Sequence, residues 1–195
     1  QHYIHKYKRY KTLWRHLDGL DKGMTILSIE NDESEEDTTY VYYPAHRRSR
    51  LVADFARHED IEGTDICYAD LGERKIYDFT YKRKPDTNIN GIKCYNVIWY
   101  PKNTRKWGLS YGDLYCSIDY AMPILLKQYN LNNEIHKIFN FTIKKYGPIY
   151  WVKHLIAENP KKKSRTIMIT TKTLVNVPLN YGDYDTNNLG NVWRW

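Results

Sequence analysis

Cysteine is scarce in this chain. Its three residues, Cys67, Cys94 and Cys116, are too few for a disulfide framework and too scattered for a zinc site. Cys94 and Cys116 fall on segments that could pair as neighbouring strands, so one disulfide and buried free thiols both stay open. Long apolar runs are lacking too. No stretch approaches the roughly 20 apolar residues of a membrane-spanning helix, and no charged-then-apolar signal segment is legible. The chain begins at Gln1 rather than Met, as a processed secreted protein does and as a trimmed one does. Local signatures of catalysis are missing as well: no Gly-rich phosphate loop after a strand, no Gly-x-Ser-x-Gly elbow and no Cys with a His nearby in sequence. His58-Glu59-Asp60 is the densest cluster of acid, base or ligand groups. Three consecutive residues do not converge on one point, and no second His stands at helical spacing, so a solvated loop is expected. The seven His follow no pattern, and His2 and His5 suit only adventitious metal. The expectation is a protein that is not an enzyme and needs no cofactor.

What is abundant is tyrosine, 19 residues, with six tryptophans. These rings sit with β-branched residues in short runs that favour strands. Strands are expected over 3–14, 23–30, 38–43, 50–55, 75–83, 92–100, 113–118, 124–131, 134–146, 149–158 and 164–175. Turn formers separate them: Asp18-Gly19, Asp21-Lys22-Gly23, residues 85–90, Asn132-Asn133, Gly147-Pro148 and Asn159-Pro160. Short links between successive strands make antiparallel meanders. Two segments read as helical, 65–72 with Asp65 as cap and Gly72 as stop, and more weakly 57–62. The two Tyr-Gly-Asp triplets, at 111–113 and 181–183, read as loop turns. Alternation is clearest where Ile135, Phe139, Phe141 and Ile143 oppose His136, Asn140, Thr142 and Lys144, which makes one face dry and one wet. A sheet of about ten such strands should curl into a half barrel or barrel. With so little helix to fill it, the inside becomes a ligand cavity.

Thirty Lys and Arg against 23 Asp and Glu give a net charge of +7, gathered at residues 6–11, 47–50, 82–84 and 161–165. Such runs attract anionic partners, or they are solvated turns and edge strands that discourage edge pairing. The acidic run 32–37 reads as a polar turn. Aromatics interleaved with cations at 3–14 and 77–84 could stack bases, but no RNP-like motif accompanies them, and nucleic acid is not the expected partner.

Five short motifs carry a family likeness. Tyr43-Pro44-Ala45 ends a strand and is followed by Arg47, Arg48 and Arg50, then Gly63-Thr64-Asp65, Tyr68 and Asp70-Leu71. The strand from Gly91 through Cys94, Tyr95 and Ile98 leads to Pro101-Lys102. Ile118-Asp119-Tyr120 precedes Pro123 and the strand 127–130. The end holds Asn176-Val177-Pro178-Leu179 and Asn187-Asn188-Leu189. In this order and spacing, over about residues 23–190, the chain resembles the LolA-like outer-membrane lipoprotein-sorting proteins. It differs from them in having Thr64, Ile66 and Ala69, and in a strand rather than a helix over residues 1–14.

The resemblance implies a mainly β fold: a single curved antiparallel sheet forming a half barrel, with one or two short helices, in one domain spanning 1–195. It implies a periplasmic or cell-envelope carrier whose partners are lipid or lipoprotein acyl chains, with an ABC-type or RND-type membrane transporter. The pool for cavity walls is Val41, Tyr43, Tyr77, Phe79, Ile98, Ile118, Phe139, Phe141, Trp151 and Ile167, each of which ordinary core packing would also explain. Arg47, Arg48 and Arg50 with Asp65 are candidates for a rim that meets lipid phosphates or an anionic membrane surface. Alternatively, Asp65 caps its loop and the arginines pair with Glu59, Asp60 and Glu62. A different class of reading is a non-catalytic envelope binding module that contacts protein or peptidoglycan through its outer sheet face.

Overall fold

The computed structural model describes residues 2–4, 10–31, 37–61, 63–72 and 74–191. Residues 6–9 of the first basic run, His5, residues 32–36 of the acidic run and Glu62 lie outside these. The chain is mainly β, in two antiparallel sheets with few short helices. It divides into two compact units, one of Gln1–Glu59, Tyr68–Glu73 and Val177–Trp195, the other of Asp60–Cys67 and Arg74–Asn176.

The first unit holds β1 (His2–Ile4), β2 (Tyr10–Arg15), β3 (Thr25–Ile29), β4 (Thr38–Tyr43) and β5 (Arg48–Leu51), hydrogen-bonded in that order. Register sets Leu13 against Leu27 and Leu27 against Tyr40 on one face. The chain's end covers that face: Tyr184 and Leu189 are buried with Leu13 and Leu27, and Leu179 packs beside them. Polar bonds fasten the segment, with Lys11 Nζ donating to the Tyr184 carbonyl at 2.9 Å and Ser49 Oγ to that of Thr186 at 2.7 Å. Leu179 and Leu189, the apolar letters of the final motif, are thus core residues. The opposite face, with Thr12, Ile26, Ser28, Thr39 and Val41, is buried as well. A 3-10 turn over Asp54–His58 replaces the end of the strand expected at 50–55, and α1 (Tyr68–Leu71) adjoins it.

The second unit is a seven-stranded meander: β6 (Phe79–Ile89), β7 (Ile92–Pro101), β8 (Leu109–Ser117), β9 (Pro123–Asn130), β10 (Ile135–Tyr146), β11 (Ile149–Asn159) and β12 (Ser164–Ile169). Each strand pairs with its sequence neighbours, the topology that short links favour. β6 and β12 are its edges, so it stays open and no barrel closes.

Three local readings change. Residues 85–90 are not a turn: β6 runs to Ile89, and a bulge between Lys84 and Thr87 absorbs Pro85 on the edge strand, where a missing N–H costs no ladder bond. The turn is Asn90-Gly91, both at positive φ, the conformation a two-residue hairpin needs. Residues 111–113 are not a turn either. Gly112 lies inside β8, opposite Trp99, whose indole occupies the space a Cβ would take. Finally, α2 (Thr104–Trp107) went unread, although Asn103 Oδ1 accepts from Lys106 N at 3.0 Å and Gly108 ends it in the left-handed region.

Candidate functional site

Registers in the seven-stranded sheet can be followed from strand to strand, because directly paired residues share a face. One row crosses all seven: Arg83, Val97, Leu114, Leu126, Phe139, Ala157 and Thr166. The row on one side of it is Tyr81, Trp99, Gly112, Gln128 and Lys137. On the other side, Tyr95 pairs with Cys116, and Phe141 with Leu155 and Leu155 with Met168. These three rows make one face of the sheet.

Along β7, β8, β10 and β11 exposure on this face rises in one direction, whereas on β9 Ile124 is buried and on the edge strand β6 Tyr81 is 49% exposed. Trp99, Gln128 and Lys137 in the first row are buried, as are Leu126, Phe139 and Ala157 in the second. Cys116, Phe141, Leu155 and Met168 in the third are half-buried, and Tyr95 is 39% exposed. All but the ring hydroxyl and the thiol of that third row are apolar. The face is therefore shut at one end and greasy and accessible at the other.

The shut end is built by charge and aromatic stacking. Lys137, with 2% of its side chain exposed, donates to Asp60 Oδ1 at 2.7 Å, and Lys162 donates to Oδ2 at 2.5 Å. Burial works against the Asp60 carboxylate, but bonds and charge from the two lysines outweigh it and hold its pKa below the ordinary carboxylate value. Five residues on, Asp65 is buried and accepts from Ser164 Oγ at 2.5 Å and Thr166 Oγ1 at 3.2 Å. Its backbone N–H donates to Thr166 Oγ1 at 2.7 Å. Thr64 Oγ1 closes the loop on the carbonyls of Ile61 and Ile66, and Gly63 supplies the positive φ. The Gly-Thr-Asp motif is thus a strap pinned to β12, and Asp60 ties the same segment to β10. Phe79 adds ring contacts to Trp99 at 5.1 Å and Trp107 at 4.8 Å, with the Arg74 guanidinium over Trp99.

The other face is polar. Its central row reads Lys82, Ile98, Asp113, Lys127, Ile138, Glu158 and Arg165, alternating charge with aliphatics. Tyr115 donates to Asp113 Oδ2 at 2.9 Å. Burial, then this carboxylate, push its phenol up to about 12. Tyr111 stacks on Tyr129 at 4.1 Å, with Tyr100 beside it at 6.0 Å.

Of the residues singled out from sequence, Phe79, Phe139 and Phe141 share the apolar face. Ile98 and Ile167 fall on the polar face, as does Trp151, which pairs with Lys144. Val41 and Tyr43 belong to the five-stranded sheet, where the Tyr43 hydroxyl meets that of Tyr68 at 3.3 Å. Tyr77 stands exposed in the 3-10 turn Ile76–Asp78, and Ile118, half-buried, follows β8. Arg47, Arg48 and Arg50 are exposed at the β4–β5 turn, Arg47 in the left-handed region. Asp65 is committed to β12 instead of capping α1. Ile135 leaves the column of Phe139: a bulge before Lys137 pairs it with Tyr129 on the polar face. The cysteines are free thiols, and register sets Cys94 against Ser117 but Cys116 against Tyr95, one position out of line. Val97, Leu114, Leu155 and Met168 were missed. They are scattered in sequence, and only strand pairing gathers them.

An open antiparallel meander carrying an apolar face of this kind defines a LolA-like fold. Residues 9–191 match a family described as "uncharacterized protein", and the chain belongs to that family. Among solved structures it is similar to a domain named for outer membrane lipoprotein sorting from Vibrio parahaemolyticus, with 18% identity and a TM-score of 0.86 over 93% of this chain and 78% of that one. A DUF1329 family protein from Desulfovibrio piger gives 19% identity and a TM-score of 0.87 over 95% and 79%. A LolA superfamily protein from Nitrosomonas europaea gives 11% identity and a TM-score of 0.56 over 87% and 79%. No curated protein sequence matches the chain.

Proposed function

We propose that this chain is a non-catalytic carrier of the cell envelope, a single LolA-like domain that binds lipoprotein acyl chains or other lipids for transfer toward the outer membrane. The observation that carries the reading is the graded apolar face, buried at Leu126 and Phe139 and half-exposed at Phe141, Leu155, Met168 and Cys116. Each acyl methylene taken from water is worth about 0.8 kcal/mol, so a lipid anchor does not cross an aqueous space unaided. A wall of aliphatic and aromatic groups supplies that burial without directional bonds that would trap the cargo. Phe79, Phe139 and Phe141 belong to that wall, with Val97, Leu114, Leu155 and Met168. The exposed Arg47, Arg48 and Arg50 suit lipid phosphates or an anionic membrane surface, and a membrane transporter of the ABC or RND type would load or unload the carrier.

The experiment is displacement of a fluorescent fatty-acyl probe by the chain with Leu155→Asp. A carboxylate set among the half-buried apolar row should weaken probe binding by at least about tenfold. Thr142→Asp, exposed on the polar face, should leave it unchanged. Equal binding by both variants would refute the site. The stacked Tyr100, Tyr111 and Tyr129 on the polar face favour a second reading, an envelope module that contacts protein or peptidoglycan and binds no acyl probe at all.

A further inference from the structure

The hairpin of β10 and β11 outruns its sheet. β9 pairs with β10 no further than Asn140, and β12 with β11 no further than His154, so beyond the Thr142 register shift the two strands ladder with each other, and Thr170 Oγ1 donates to the Val152 carbonyl at 2.7 Å. The tip at Gly147-Pro148 stands about 17 Å beyond the row of Phe141 and Leu155, at a strand rise of roughly 3.3 Å per residue. This ribbon carries Tyr150 at 39% and Trp151 at 37% exposed. Lys144 and Lys145, both exposed, lie over the rings of Tyr146 and Tyr150 at 5.7 Å each, one pair on either face. The adjoining β8–β9 turn adds Tyr120, stacked on Tyr150 at 4.7 Å, with Asp119 beside it in sequence. From Ile135 to Ala157 the chain holds four lysines and no Asp or Glu. Among the described residues, Lys137, far from the tip, is the one of these lysines paired with a carboxylate, that of Asp60.

We infer that this ribbon is a membrane-docking element, with its Tyr and Trp rings in the headgroup layer of a bilayer and Lys144 and Lys145 against anionic phospholipids. Amphipathic rings prefer the interface between water and hydrocarbon. Lysine stems extend along such rings while the ammonium stays with the phosphates. The absence of acidic residues over the hairpin gives it the sign that anionic headgroups attract. Docking here would bring the accessible end of the apolar face next to the bilayer. The assignment does not depend on that face carrying a lipid.

The test is flotation of the purified chain with vesicles of phosphatidylcholine alone and of phosphatidylcholine with phosphatidylglycerol. The wild-type chain should float with the anionic vesicles and less with the neutral ones. Lys144→Gln with Lys145→Gln should weaken that partition about thirtyfold, the effect of removing two surface lysines. Tyr146→Ser with Tyr150→Ser should weaken it on both vesicle types, and Lys144→Arg with Lys145→Arg should restore it. Circular dichroism and the melting temperature report folding of each variant, and acyl-probe binding without vesicles should be unchanged in all of them. A wild-type chain that fails to float overturns the assignment. So does flotation that the hairpin variants leave intact while Arg47→Gln, Arg48→Gln and Arg50→Gln together abolish it.

Discussion

Asp60 shows how one residue can hold one end of a sheet together. It stands between a buried and an exposed lysine, Lys137 and Lys162, and losing it would take a carboxylate from the Lys137 ammonium where water hardly reaches. Asp60→Asn should therefore destabilise the chain by about 3 kcal/mol, as breaking a buried pair does, whereas Lys137→Met should cost clearly less because Asp60 keeps Lys162 and partial solvent access. Urea unfolding of the two variants measures the difference. Because the Asp60 carboxyl has its pKa lowered in the folded state, its contribution is full above the ordinary carboxylate value of 3.8. It is lost as pH falls through the lowered one, so wild type should lose stability on acidification below about pH 4 and Asp60→Asn should lose less over that window. The lysine itself was a legible warning. In the alternating column of Phe139 and Phe141, Lys137 occupies an apolar position, and a charge there needs a partner. What sequence could not supply was the partner, 77 residues away.

At the scale of elements, Gly112 and Trp99 explain why a glycine sits in the middle of a strand. The indole fills the space beside the glycine, so Gly112→Ala would force the ring out of the packed end formed with Phe79 and Trp107. A loss of roughly 1–3 kcal/mol, typical of overpacking, is expected. Near-ultraviolet circular dichroism should change along with the melting curve. The same Tyr-Gly-Asp letters at 181–183 form a 3-10 turn, so the triplet carries no structure by itself and its setting decides. Strand existence was legible over most of the chain, because Tyr, Trp and β-branched runs separated by Gly, Asn and Pro leave few alternatives, but the one strand expected at 3–14 is two, β1 and β2, paired antiparallel with each other. β4 was read to the residue, and β7, β9, β10 and β11 to within about one. The errors gather where a bulge intervenes. At β6 an edge bulge hides Pro85, and at β10 a bulge moves Ile135 to the opposite face. A one-residue shift reverses every side chain beyond it. The wall of the proposed site was only partly legible for that reason: Phe139 and Phe141 share the face proposed for it, whereas Ile98 and Ile167 alternate equally well on the opposite face.

For the whole molecule, the family motifs turn out to be mechanical parts. Gly63-Thr64-Asp65 straps the shut end of the seven-stranded sheet, and Leu179 and Leu189 cover one face of the five-stranded one. The excess of cations over anions, +7, adds long-range attraction to anionic surfaces that salt should screen. The claim on which this account rests is that the apolar face holds an acyl chain. Native mass spectrometry with lipid extraction, on protein purified from a cell envelope, tests it without presuming the cargo. A stoichiometric acyl species that Leu155→Asp loses is the expected result. A wild-type chain that arrives empty, and takes up no fluorescent acyl probe afterwards, would contradict it.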